Sequence, residues 1–507
     1  MINSDLTNMD TAFSGVLGIL SLSFLLLLPL IFIILNHISS PSSERRPLPP
    51  GPRQWPIVGN ILQVGKKPHV SLAHFAKLHG PLISLRLGAQ IVVVASSPIA
   101  ASEILKTHDR LLSARFISAA NPYGDHVLDR VALVWNPSCS DQWKLLRAMC
   151  RSELFSAKAI DSQDTLTEKK LTEMLDFLTI KQGQVVNIGE VVFTTVFNTI
   201  SNLIFSKDML SFGDQGNAGG LKTLITKLMQ LATAPNIADF YPVLARLDPQ
   251  NMRRKMKIGF EKVLNVWQIY IKERRENHVN DAPETDFLDV FLSTGFDDDQ
   301  INWLVLELFA AGVDTTTTTV EWAMAELLKS RATLVKVQQE LDREVDNKSI
   351  EESHVLQLQY LNACIKETFR LHPPAPFLIP RRALNTCEVL NYTIPKNSQV
   401  VVNLWAIGRD SSSWEDPLSF KPERFLNSNI DFKGHHFQLL PFGSGRRTCP
   451  GLPMATRQLP LILAYLIRCF EWSLPNDQDP AMLDMNDKFG ITLVKDSPLL
   501  LVPKRKL

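Results

Sequence analysis

The residues best suited to chemistry lie in "LLPFGSGRRTCPGLPMATRQ", Leu439 to Gln458, where Phe442, Gly445, Arg447, Cys449 and Gly451 are spaced F-x-x-G-x-R-x-C-x-G. A lone cysteine is usually a small hydrophobe of the interior. Five specified positions in ten weaken that reading here. A cysteine thiolate can hold the iron of a porphyrin and push electron density onto it, which favours O–O cleavage. It then needs shielding, backbone N–H donors and small neighbours, and the glycines supply room for a loop to pass close to a flat macrocycle. Arg447 can neutralise a propionate, and the apolar run after the cysteine can open a buried helix.

Three further stretches carry paired or unusual residues. "LFAAGVDTTTTTVEWA", Leu308 to Ala323, is poor helix material, because β-branching and glycine each cost a fraction of a kcal/mol relative to alanine. A long helix that tolerates this run must gain something there. "KETFR" sets Glu367 and Arg370 at i and i+3, and "DQWKLLRAMC" sets Trp143 and Arg147 at i and i+4, each pair on one helix face. An exposed pair of either kind would be worth only a few tenths of a kcal/mol.

These segments need a large body to position them. The chain has 507 residues, 45% of them hydrophobic, which is enough for one large core or two ordinary ones. A formal net charge of +1 argues against a broad nucleic-acid surface. The six cysteines, at 139, 150, 364, 387, 449 and 469, have neither zinc-site nor disulfide-framework spacing and point to a reducing compartment. The span Ala12 to Asn36 has no charged side chain and is long enough to cross a bilayer as a helix. A cleaved signal peptide is the competing reading, but the apolar run exceeds the usual h-region and no basic segment precedes it. Asp5 and Asp10 before the span, and Arg45, Arg46, Arg53, Lys66 and Lys67 after it, place the body on the cytosolic side.

The expected organisation is therefore a short lumenal segment 1–11, an anchor 12–36, a linker 37–60 and a catalytic body 61–507. The linker includes the proline-rich strap "RRPLPPGPRQWPIVGN", which cannot be helical. "PLISLRLGAQIVVVASS" predicts a hairpin turning at Gly88-Ala89. Helical spacing dominates from about 138 to 347, with breaks at "FGDQGNAGG" and "TAPNIADFYP", and the last third mixes strands with loops. The basic run "NMRRKMK", Asn251 to Lys257, reads as a solvated helix face.

The cysteine loop, together with "ETFR" and "PERF" in this order, resembles the cytochrome P-450 family of haem-thiolate monooxygenases from the anchor to the C-terminus. The resemblance implies a mainly helical fold with small β-sheets, behind one N-terminal transmembrane helix. It implies haem b with Cys449 as axial ligand, and Arg424 completing a buried structural cluster with Glu367 and Arg370. Trp143, Arg147 and Arg381 would reach haem propionates, with Arg382 an alternative to Arg381. Ala311 and Gly312 would make room for dioxygen, while Asp314 and Thr315 relay protons and Thr316 to Thr319 serve packing and back-bonding.

By the same resemblance, an NADPH-cytochrome reductase supplies electrons, and the protein sits in the endoplasmic reticulum membrane, in contact with lipid. The substrate would be framed by "SAANPYGDHVLDRVALVW", "PNIADFYPVL", the residues before Gly312 and the strand after "LHPPAPFLIP". These segments are mostly apolar, with Asp125, Asp129 and Asp239 as isolated acids. Other segments, among them "FYPVLARLD" and "PERFLNSNIDFKGHHFQLLPFGSGRRTCPG", resemble the plant alkaloid branch that includes N-methylcoclaurine 3'-hydroxylase, corytuberine synthase and littorine mutase. That implies a hydrophobic amine substrate, which Asp125 or Glu307 could face, with a slight preference for a tropane such as littorine. A geraniol-type monoterpenoid hydroxylase is the alternative. A haem-thiolate sensor or electron carrier would not need the Asp314-Thr315 pair.

Overall fold

In the computed structural model, residues 46–213, 220–277, 286–345, 350, 352–355 and 357–506 are described. The expected lumenal segment 1–11 and anchor 12–36 lie outside these residues. The described part of the strap has no helix, as its prolines require; it ends in a turn bridged between Trp55 and Gly59, and its earlier part packs along the first strand. Ser84 donates its N–H to the Pro50 carbonyl at 2.9 Å and its hydroxyl to the Pro49 carbonyl at 2.6 Å.

Strands β1 (Leu82–Leu87) and β2 (Gln90–Ala95) form the expected antiparallel hairpin, with Gly88 at φ 62° in the turn. The sheet continues through β3 (Ala114–Arg115), β4 (Arg381–Arg382) and β5 (Gln399–Val402), in the spatial order β1-β2-β5-β4-β3. Only the β2–β5 pairing in this sheet is parallel.

Six helices matter for the site: α1 (Asp141–Met149), α2 (Ile188–Phe205), α3 (Met252–Asn277), α4 (Asp298–Lys329), α5 (Gln359–Leu371) and α6 (Leu452–Cys469). The central helix, α4, opens with a capping box in which Asp297 accepts from the Gln300 N–H and the Gln300 side chain accepts from the Asp297 N–H. It runs through the main core against α2, α3, α5 and α6. Trp267 of α3 stacks on Phe309 of α4 at 4.8 Å, and Phe197 of α2 meets the same ring at 4.6 Å. Further along α4, Thr316 to Thr319 are buried in the same interior, and that burial holds a threonine run that helix propensity alone would disfavour.

Among the described residues, α2 is the one helix long and apolar enough to cross a membrane, yet most of it is buried in the protein interior. The basic run belongs to the start of α3, where Met252 and Met256 face inward and Arg253, Arg254, Lys255 and Lys257 are exposed.

Candidate active site

A cavity of about 260 Å³ lies between α4 and the loop that precedes α6. Cys449 stands on its floor, deep in the body yet uncovered on the cavity side. The loop is closed by the Cys449 N–H donating to the Phe442 carbonyl at 2.9 Å. Gly445 has φ 73°, and a Cβ there would sit 2.2 Å from the Leu105 carbonyl oxygen, so only glycine fits. Burial pushes the Cys449 thiol up, while the N–H groups of Gly451 and Leu452 and the charge of Arg147 pull it down. The three lowering influences favour the thiolate once iron is available.

Four arginines line this cavity: Arg115, Arg147, Arg381 and Arg447. Arg115 in β3 and Arg381 in β4 are direct cross-strand partners, although like charges opposite one another destabilise a strand pair. Of these four, only Arg381 forms an ion pair among the described residues, with Asp109 at 2.7 Å. Burial, then Arg447, then Arg381 hold the Arg115 guanidinium well below its ordinary range. The arginines otherwise lean on backbone oxygens. Arg447 donates to Ser113 at 3.0 Å and Asn136 at 2.8 Å, Arg115 to Ile379 at 2.9 Å, and Arg147 to Thr448. An excess of buried positive charge around an apolar cavity suits a flat ligand with an acidic edge.

Trp143 lies under this cluster and is not on the cavity wall. Its indole N–H donates to the Leu133 carbonyl at 2.9 Å, and its ring carries the Arg447 guanidinium at 4.6 Å and that of Arg147 at 5.5 Å.

The roof is one face of α4, with Leu304, Glu307, Leu308, Ala311, Gly312 and Thr315 all lining the cavity. Thr315 donates to the Ala311 carbonyl at 2.7 Å. A Cβ on Gly312 would come 2.8 Å from the Ile200 side chain, so this glycine also admits α2. Asp314 is not among the lining residues. Burial raises its carboxyl to about 6, with Lys222 opposing. Thr319 bonds back to Thr315, and Thr318 donates to Leu493.

Beside the loop, Glu367 and Arg370 form a fully buried two-pronged pair. Arg424 reaches Glu367 at 3.1 Å, and the Lys421 N–H donates to it at 2.7 Å. The three residues are thus brought together behind the cysteine loop.

Against this geometry, a family model described as Cytochrome P450 matches residues 49–502. The chain belongs to the cytochrome P450 family. It is 49% identical to a probable (S)-N-methylcoclaurine 3'-hydroxylase isozyme 2 of Coptis japonica, over 97% of this chain and 98% of that one. It is 46% identical to a corytuberine synthase of the same organism, over 95% and 99%. Geraniol 8-hydroxylase of Catharanthus roseus is 42% identical, over 91% and 95%. The protein is therefore a cytochrome P450 monooxygenase with haem b as cofactor, and it works with a redox partner, dioxygen and a small-molecule substrate.

The thiol, the arginine excess and the apolar walls fit this cofactor. Sequence reading missed Arg115, a lone arginine in a two-residue strand whose partner, Arg381, lies far along the chain. Arg382 points elsewhere and approaches Asp125, an exposed acid, at 3.8 Å. Asp239 accepts from Ser118 at 2.7 Å and the Ala119 N–H at 2.6 Å. Asp129 accepts from Ser138 at 3.0 Å. Glu307 remains as the carboxylate lining both the large cavity and an adjoining apolar one of about 100 Å³, whose walls include Trp135, Phe260 and Trp303.

Proposed function

We propose that this cytochrome P450 oxidises a benzylisoquinoline-type tertiary amine by hydroxylation. The carrying observation is the 49% identity along nearly the whole chain to a relative named for N-methylcoclaurine 3'-hydroxylation. The names of the relatives move the preference from the tropane side to the benzylisoquinoline side. The two adjoining cavities are apolar and aromatic, as a fused-ring amine requires. Geraniol is the second reading, since a geraniol 8-hydroxylase is 42% identical.

Thiolate-held haem, when bound, uses O₂ and two electrons so that one oxygen enters the substrate and the other leaves as water. Cys449 supplies the thiolate, and Phe442, Gly445 and Gly451 shape the loop around it. Arg115, Arg147, Arg381 and Arg447 hold the propionates, with Trp143 bracing two of them. Thr315, on the wall beside Ala311 and Gly312, hands on its hydroxyl proton by turning from the Ala311 carbonyl toward the reaction space, and Asp314 resupplies it through water. Glu367, Arg370 and Arg424 keep the loop's support rigid. Electrons come from an NADPH-cytochrome reductase, and residues 12–36 anchor the body on the cytosolic face of the endoplasmic reticulum.

The test is to titrate the purified haem protein with (S)-N-methylcoclaurine, littorine and geraniol and to follow reductase-supported turnover by mass spectrometry. One added oxygen on N-methylcoclaurine supports the proposal. Loss of two hydrogens would indicate phenol coupling, and an isomer of littorine a rearrangement. Turnover of geraniol with no binding of either amine would replace the alkaloid reading with the terpenoid one.

A further inference from the structure

Glu307 lies inside α4, is almost fully buried, and accepts three consecutive backbone N–H groups: Leu133 at 2.6 Å and Val134 at 3.0 Å on Oε2, and Trp135 at 3.0 Å on Oε1. The peptide group joining Leu133 to Val134 is used at both edges. Its N–H goes to Glu307, while its carbonyl accepts from Trp143 at 2.9 Å and Arg447 at 3.4 Å. The next peptide repeats the arrangement, with the Trp135 N–H on Glu307 and the Val134 carbonyl accepting from Arg115 at 3.0 Å. Two adjacent trans peptides therefore each stand between one carboxylate and one guanidinium. Because the two edges of a peptide polarise together, charge on Glu307 strengthens the carbonyls as acceptors for both arginines.

We propose that Glu307 is a positioning residue that holds Arg115 and Arg447 at the cofactor edge through the peptide groups 133–134 and 134–135. The inference rests on the haem reading above and goes beyond it, by linking the wall shared by the two cavities to the cations beside the thiolate loop. It also gives Glu307 a partner set that does not require the substrate amine.

Burial raises this carboxyl to about 7, opposed by the three N–H groups and by Arg447. Arg115 and the thiol of Cys150 also feel its charge. Ionised Glu307 is the form that braces the arginines, so their grip on the cofactor weakens as pH falls through that range.

The test is the rate of haem transfer from the full-length holoenzyme to a high-affinity apoprotein acceptor between pH 6 and pH 8, for wild type, Glu307→Gln and Glu321→Gln. Glu321 is a buried carboxyl of the same helix that accepts the Leu499 N–H at 2.9 Å, and it controls for general loosening of α4. Expected at pH 8 is loss about fivefold faster in Glu307→Gln, the scale of one weakened buried hydrogen bond. The wild-type slowing of haem loss from pH 6 to pH 8 should vanish in that variant, and Glu321→Gln should match wild type. An unchanged rate and pH profile in Glu307→Gln would overturn the inference, and so would equal acceleration in both variants. If Glu307→Gln does not load haem, Glu307→Asp replaces it. Its faster loss must keep the pH dependence, and pH-independent loss overturns the proposal. A thiolate-type reduced carbon-monoxide band in wild type separates these failures from failure of the haem reading, which would remove both.

Discussion

Arg370 meets Glu367 through two parallel contacts, Nε to Oε2 and Nη2 to Oε1, both at 2.7 Å and with neither side chain exposed. The same guanidinium donates to the carbonyls of Pro417 at 2.6 Å and Ser419 at 3.0 Å, tying α5 to the segment that leads to Arg424. Lysine cannot reproduce that fork. Arg370→Lys should break the buried fork, leave the carbonyls of Pro417 and Ser419 short of donors and cost on the order of 1–3 kcal/mol. Haem content and thermal unfolding check this, and a variant with wild-type haem content and melting temperature would contradict it.

Thr315 and Ala311 occupy the same face of α4 one turn apart, and that face lines the cavity. Thr315→Ala removes a hydroxyl that lines the cavity. Product formed per NADPH consumed should fall by about tenfold or more, with the excess appearing as hydrogen peroxide or water. Full coupling in this variant would defeat the proton-delivery role.

Asp314 titrates near 6 in the folded protein and near 3.8 when exposed, so the folded state binds more protons between those values. Its contribution to stability is full below about 3.8 and is lost as pH rises through 6. Asp314→Asn lacks that loss. Relative to wild type it should gain stability from pH 4 to pH 7, by on the order of 2–3 kcal/mol. Melting temperatures across this range test the sign, and a difference that falls with pH would contradict it.

Arg115→Leu removes a guanidinium that only the folded sheet reveals as part of the site. Haem retention during gel filtration should drop below that of wild type, while α-helix content by circular dichroism stays. Undiminished retention would remove Arg115 from the proposed cofactor grip.

Deleting residues 1–36 should move the protein from the membrane pellet toward the soluble fraction without abolishing its haem spectrum. A full-length chain found wholly in the soluble fraction would contradict the anchor.

The readable parts of this site are those where spacing is local. The loop around Cys449 and the i, i+3 pair Glu367 and Arg370 are set by a few neighbouring residues, and the structure brings both to one region. Helical phase separates neighbours that a linear motif joins. Residues 304, 308, 311 and 315 follow one stripe of α4, which leaves Asp314 on the adjoining face although it touches Thr315 in sequence. Arg115 was illegible because its meaning comes from β3 pairing with β4 across a long stretch of chain. Glu307 stood out only as an acid near a pocket, since its partners are backbone N–H groups that carry no side-chain signature.

The most direct measurement is the reduced carbon-monoxide difference spectrum of Cys449→Ala beside wild type, at matched protein concentration. Wild type should give the red-shifted Soret band of a thiolate-held haem, and the variant should lack it. An unchanged thiolate-type band in Cys449→Ala would place the ligand elsewhere and contradict the site described around this cysteine.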